Sequence, residues 1–143
     1  MLKKYLVDFS VIIFIFIIDR TSKLLIIDSP ETYEQYGISI TSFLNFNLIW
    51  NEGIAFGLFS FEEKLYYNFL TILICLIIVV IICLMFRSGG FEKLSYIMII
   101  GGSLGNIFDR IYYSAVPDFI DIHVNNFHWF IFNVADIFIT IGI

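Results

Sequence analysis

Two aspartates, Asp118 and Asp136, flank a stretch of aromatic and apolar residues in the last part of the 143-residue chain. Asp118 lies in Val116-Pro117-Asp118-Phe119-Ile120-Asp121, and Asp136 closes Phe132-Asn133-Val134-Ala135-Asp136. Two carboxylates sharing a site cannot both ionise easily, so one keeps a proton and the other does not. The ionised one can take a proton from a water held between them as that water attacks an amide carbonyl. The protonated one can hydrogen-bond the developing oxyanion and then protonate the leaving amine. That division of labour hydrolyses a peptide bond without a metal ion. A lone aspartate in an apolar helix is more often a hydrogen-bonding group or ion ligand. A second acid on a connection short enough to fold back over the helix start raises the catalytic reading.

A second polar set interrupts the apolar sequence Gly101-Gly102-Ser103-Leu104-Gly105-Asn106-Ile107-Phe108-Asp109-Arg110. Gly101 and Gly105 form a GxxxG that lets another helix approach its backbone. Packing explains the glycines but not Asn106, Asp109 and Arg110, whose i,i+3 and i,i+4 spacing places both charges near the Asn face. A polar cluster facing a protein interior is the better inference. Asp19 and Lys23, also at i,i+4, can pair across one turn with Arg20 beside them. A helix-anchoring ion pair and a functional role are equally open for these three.

Other chemistries fit less well. His123 and His128 are not in an HExxH or similar spacing, so they read as interface histidines rather than zinc ligands. No nucleophile elbow, Ser-Lys pair or glycine-rich phosphate loop stands out. Cys75 and Cys83 lie eight residues apart within one apolar run, and each reads as a buried small hydrophobe. No metal and no cofactor is expected.

These residues need elements to hold them, and the composition says in what solvent. Hydrophobic residues make up 59% of the chain and charged ones 15%, with mean hydropathy +0.91, against about half and a quarter in a soluble domain. A net charge of -5 argues against nucleic acid as a partner. A spanning helix needs about 20 apolar residues, and four segments qualify or nearly do: 5–27, 65–86, 94–113 and 129–143. The chain is thus expected to be mainly α, a single membrane domain built as a four-transmembrane-helix bundle. Lys3-Lys4 and the following apolar stretch imitate a secretory signal peptide, but Asp19-Arg20-Thr21-Ser22-Lys23 replaces any small-residue cleavage site, giving an uncleaved first span. The fourth segment yields only about 22 Å of helix at 1.5 Å per residue, from which a longer natural chain is expected.

Lys3, Lys4, Arg87 and Lys93 mark the cytoplasmic side, so both termini are expected inside. The connections 28–64 and 114–128 then lie outside, and Asp136 falls one to two turns into the membrane. Within 28–64, Ile38-Ser39-Ile40 and Asn45-Phe46-Asn47-Leu48 alternate as half-buried strands do, predicting a small sheet at the membrane surface. Phe43, Trp50, Phe56 and Phe59 suit the lipid–water boundary.

Five elements together resemble the bacterial lipoprotein signal peptidases, also called prolipoprotein or type II signal peptidases. They are D-x-x-S-K at 19–23, N-x-G-x-A-F at 51–56, G-G-x-x-G-N-x-x-D-R at 101–110, V-x-D-F at 116–119 and F-N-x-A-D at 132–136. The resemblance covers essentially the whole chain. It implies an inner-membrane aspartyl endopeptidase that removes signal peptides from diacylglyceryl-modified prolipoproteins, cutting before the lipidated cysteine. It also implies an extracytoplasmic sheet called a cradle, a mobile external loop over the site and inhibition by globomycin; membrane lipid is expected as a further partner, and the protein is expected to be a monomer. Asp118 and Asp136 carry over as the catalytic pair. Asn51, Gly53, Asn106, Arg110 and Asn133 carry over as substrate-binding or dyad-supporting residues, and Asp19, Lys23 and Asp109 as structural polar ones. Ile54 stands where many members have alanine. Two other classes compete: a small transporter or channel subunit using the buried charges as an ion path, and a noncatalytic assembly subunit whose polar residues only join helices.

Overall fold

A computed structural model describes residues 2–33, 37–53, 64–125 and 127–143. Four helices, α1 (Leu2–Ile27), α2 (Lys64–Arg87), α3 (Gly90–Tyr113) and α4 (Val134–Gly142), surround a shared interior, and a four-stranded sheet caps one end. The strands β1 (Ile38–Thr41), β2 (Leu44–Asn51), β3 (Val116–Val124) and β4 (Phe127–Phe132) pair antiparallel in chain order. The helix α3 is central, packing on α1, α2 and α4.

Small residues set those approaches. A Cβ on Gly105 would lie 2.3 Å from Asp19 Oδ2 on α1, and one on Gly102 would lie 2.5 Å from the Ala135 carbonyl oxygen on α4. The adjacent glycines at 101 and 102 therefore serve two neighbours, Gly101 facing Ile15 of α1 and Gly102 facing α4. Ile12, Met85, Ile97 and Ile100 close the apolar part of the bundle. Ile26, Leu48 and Phe119 join the end of α1 to the sheet.

Outward faces are apolar instead of polar: Phe14 and Ile17 on α1 and Phe69, Ile72 and Val79 on α2 are exposed. Among the described residues, the Tyr67–Arg87 stretch of α2 is long and apolar enough to cross a membrane by length and composition.

The first two strands fall where the alternation predicts them. The connection expected at 114–128 is different: β3 (Val116–Val124) and β4 (Phe127–Phe132) pair as a hairpin, and Asp118 lies on a strand rather than a loop. Val124 pairs with Phe127, and Asn125 takes the left-handed backbone (φ 52°) that such a tight reversal demands. Trp129 to Phe132 consequently belong to β4, and the helix expected from residue 129 begins only at Val134. Asp136 is thus in the first turn of α4, whereas a helix starting at residue 129 would have placed it about two turns along. Aromatic and β-branched residues fit a pleated surface, and Asn133 ends the strand by capping the helix.

Candidate active site

That cap organises the site. The Asn133 side chain accepts from Asp136 N at 3.1 Å, and Asp136 Oδ2 accepts from Asn133 N at 3.1 Å. This reciprocal capping box satisfies two backbone donors of the first turn and fixes the Asp136 side chain. Asn133 Nδ2 is left pointing away from the helix, where it donates to Asp118 Oδ1 at 2.6 Å. One asparagine therefore touches both aspartates.

Two further amides complete the ring. Asn51, at the end of β2, donates to Asp118 Oδ2 at 2.8 Å, and Asn106 of α3 donates to Asp136 Oδ1 at 2.9 Å. The oxygen of each amide is engaged elsewhere. Asn51 Oδ1 accepts from Gly53 N at 2.8 Å, and Asn106 Oδ1 accepts from Lys23 Nζ at 2.8 Å. None of the three amides can turn over without losing a bond, so all present NH2 groups to the carboxylates. Each carboxylate oxygen has one donor and keeps a second lone pair for a shared proton or a water.

Asn51, Asn106, Arg110, Val116, Asp118, Asn133 and Asp136 enclose a cavity of about 20 Å³, enough for one water at roughly 10–15 Å³. Burial pushes the Asp118 carboxyl up from 3.8 to about 7, and the Asp136 charge pushes it the same way; the Asn51 and Asn133 amides and Lys23 pull it down. Desolvation outweighs the donors, so Asp118 titrates near neutrality.

Beneath the aspartates lies a second polar layer. Lys23, fully buried, donates to Asp19 Oδ2 at 2.8 Å and Asp109 Oδ2 at 2.6 Å as well as to Asn106. Asp109 also accepts from Arg20, whose guanidinium lies 5.2 Å from the Phe108 ring centre. Asp19 Oδ1 accepts from Ala135 N at 2.9 Å, satisfying another donor of the α4 first turn. Arg110 reaches the Gly53 carbonyl oxygen at 2.8 Å and so holds the segment after β2 over α3.

The structure gathers Asp118, Asp136, Asn51, Asn106, Arg110 and Asn133 at one cavity, places Gly53 beside it, and sets Asp19, Lys23 and Asp109 one layer away. Residues 54–56 of the second motif, Phe56 among them, and Phe59 lie outside the described residues. Sequence reasoning missed Asp8, which forms a buried ion pair with Lys93 between α1 and α3; an acid within an apolar helix was the available signal. It read His123 and His128 as interface histidines and did not foresee that their rings stack, with centres 5.1 Å apart.

An apolar-skinned helical bundle, a sheet at one end and two acids facing a water-sized cavity belong to a membrane aspartic peptidase. Residues 11–143 match the family described as signal peptidase (SPase) II. The chain belongs to that family. It is 52% identical over 142 residues to a lipoprotein signal peptidase of Pelagibacter ubique, covering 99% of this chain and 86% of that one. It is 39% identical to a lipoprotein signal peptidase of Rickettsia akari, covering 94% and 69%. A solved bacterial membrane enzyme superposes with a TM-score of 0.81 at 27% identity, covering 95% of this chain and 82% of that one.

Proposed function

We propose that the protein cleaves signal peptides from diacylglyceryl-modified prolipoproteins, immediately before the lipidated cysteine, with Asp118 and Asp136 as the catalytic pair. The observation that carries this reading is the pinned amide ring: three NH2 groups aimed at two carboxylates around room for one water. The carboxylate that is ionised takes a proton from that water as it attacks the scissile carbonyl. Its protonated partner donates to the oxyanion and afterwards to the leaving amine. Asn51, Asn106 and Asn133 hold the acids in register, and Arg110 positions the segment around Gly53.

In this reading α1, α2 and α3 cross the membrane, α4 enters it from the outer face, the N-terminus is cytoplasmic, and the sheet lies at the outer face. The diacylglyceryl chains keep the substrate in the bilayer and bring its cleavage site to the depth of the acids, which raises local concentration. Asp136, at the first turn of α4, fits a shallow site near the outer surface. No cofactor takes part, and one chain suffices.

The test is cleavage of a synthetic lipidated signal peptide by the purified protein, with and without globomycin and with a chelator. Asp118→Asn and Asp136→Asn should each lower turnover at least about a hundredfold, the scale of a lost general acid or base. Globomycin should block the wild type, and the chelator should not. Substantial turnover by either folded variant removes these acids from the mechanism.

A further inference from the structure

The geometry points to a second site on the β3–β4 hairpin, a binding site for a first-row divalent transition-metal ion of the zinc type, formed by Asp121, His123 and His128. One ligand atom from each of these residues lies within 4.8 Å of the other two. His128 Nδ1 stands 2.9 Å from one Asp121 oxygen and 3.0 Å from the other, near the spacing of about 3.4 Å that adjacent ligands take around a tetrahedral zinc with bonds of about 2.0–2.1 Å. Only the His123 ring must close in.

Three features of the hairpin converge on this arrangement. Asp121 and His123, two apart on β3, share a face, and His123 pairs directly with His128 across the ladder. The register slips between Asp121 and His123, and such a bulge re-aims side chains. That slip lets His128 reach Asp121 as well as stack on His123. His123 Nδ1 is also buried without a hydrogen-bond partner among the described residues, an orphaned imidazole nitrogen that calls for a ligand.

The chemistry of the set selects the ion. Two imidazoles and a carboxylate suit zinc, nickel or copper over calcium or magnesium, and leave a position open for water. The Asp121 side chain is 4% exposed and that of His128 is 52% exposed, so the carboxylate is shielded while the ion has a way in. Asp121 is three residues from Asp118 on β3, where the extra residue of the β2–β3 irregularity lies on β2, and so turns to the opposite face. An ion there does not enter the peptidase chemistry. It ties β3 to β4 between the strand that carries Asp118 and the cap that carries Asn133, bracing the hairpin.

The test uses the full chain in detergent micelles, without a polyhistidine tag, stripped with a chelator and titrated with Zn2+ alone by calorimetry. We expect one saturable site per chain at pH 7.5, a rise in apparent melting temperature on saturation, and visible absorption bands when Co2+ replaces Zn2+. His123→Phe and His128→Gln should each weaken binding at least tenfold and abolish the thermal shift. Metal-free melting temperatures show which variants keep the fold, and the folded one decides. No saturable binding by the wild type, or undiminished binding by a folded His variant, overturns the site whatever becomes of the peptidase reading.

Discussion

Asp118→Asn should reverse the pH dependence of stability as well as remove activity. The folded-state pKa of Asp118 is about 7 against an unfolded value of 3.8. Between those values the folded protein holds a proton that the unfolded chain has released. Stability from this group is therefore complete below pH about 4, declines as pH rises toward 7, and is flat beyond. At 1.36 kcal/mol per pH unit, the interval is worth about 4 kcal/mol. The substituted amide cannot ionise and escapes that decline. It must instead set its own NH2 against the Asn51 or Asn133 amide, neither of which can turn over, at about 1–3 kcal/mol. Wild type should thus be the more stable at pH 4, and Asp118→Asn the more stable at pH 8, each by roughly 1–3 kcal/mol on these magnitudes. The assay is the unfolding midpoint of both proteins in the same micelles, measured from pH 4 to 8.5. Parallel curves with no crossing would falsify the claim that Asp118 is buried against a second negative charge.

Removing the buried cation with Lys23→Met leaves Asp19 and Asp109 close together without their shared partner, which should cost about 3–5 kcal/mol; an unchanged melting temperature would contradict the buried layer. Gly105→Ala should prevent the α1–α3 approach, since its Cβ would fall 2.3 Å from Asp19 Oδ2, lowering both yield of folded protein and activity. Gly89→Ala, where nothing lies within 4 Å of the added carbon, is the matched control and should behave as wild type.

The long helices were legible because their signal is simple. Apolar runs of the length a bilayer requires place α1, α2 and α3 within a few residues of their observed ends, and two-residue alternation locates β1 and β2. The β3–β4 hairpin was equally written in the chain. Residues 120–124 alternate, and Asn125 stands at the reversal. Reading 129–143 as one apolar run concealed it, because a short apolar segment looks alike as strand or buried helix. Everything that depends on cross-strand pairing was hidden with it, including the meeting of Asp121, His123 and His128. Asp118 and Asp136 could be selected as unexpected acids, but the amides could not. Which way an asparagine points depends on partners in other elements, and no spacing rule encodes that.

Those hidden orientations determine what the acids can do. A carboxylate pair in an apolar setting would relax by turning, taking up its proton on whichever oxygen faced away from its partner. Here three of the four oxygens are met by an amide whose own acceptor is occupied, by Gly53 N for Asn51, by Asp136 N for Asn133 and by Lys23 for Asn106, and the fourth, Asp136 Oδ2, is met by the Asn133 backbone N–H. The lone pairs left over are the ones available to a water in the cavity, so the acids are set for reaction before substrate arrives. This also explains why an ammonium and two extra carboxylates sit beneath the site at all, although a buried ion cluster stabilises a fold less than apolar packing of similar volume. Lys23 holds the Asn106 oxygen, Asn106 holds Asp136, and Asp19 holds the backbone of the same helical turn. The lower layer fixes the orientation of the upper one. A lysine replacement that preserved packing but not the ammonium would keep the cavity and release Asn106 to turn.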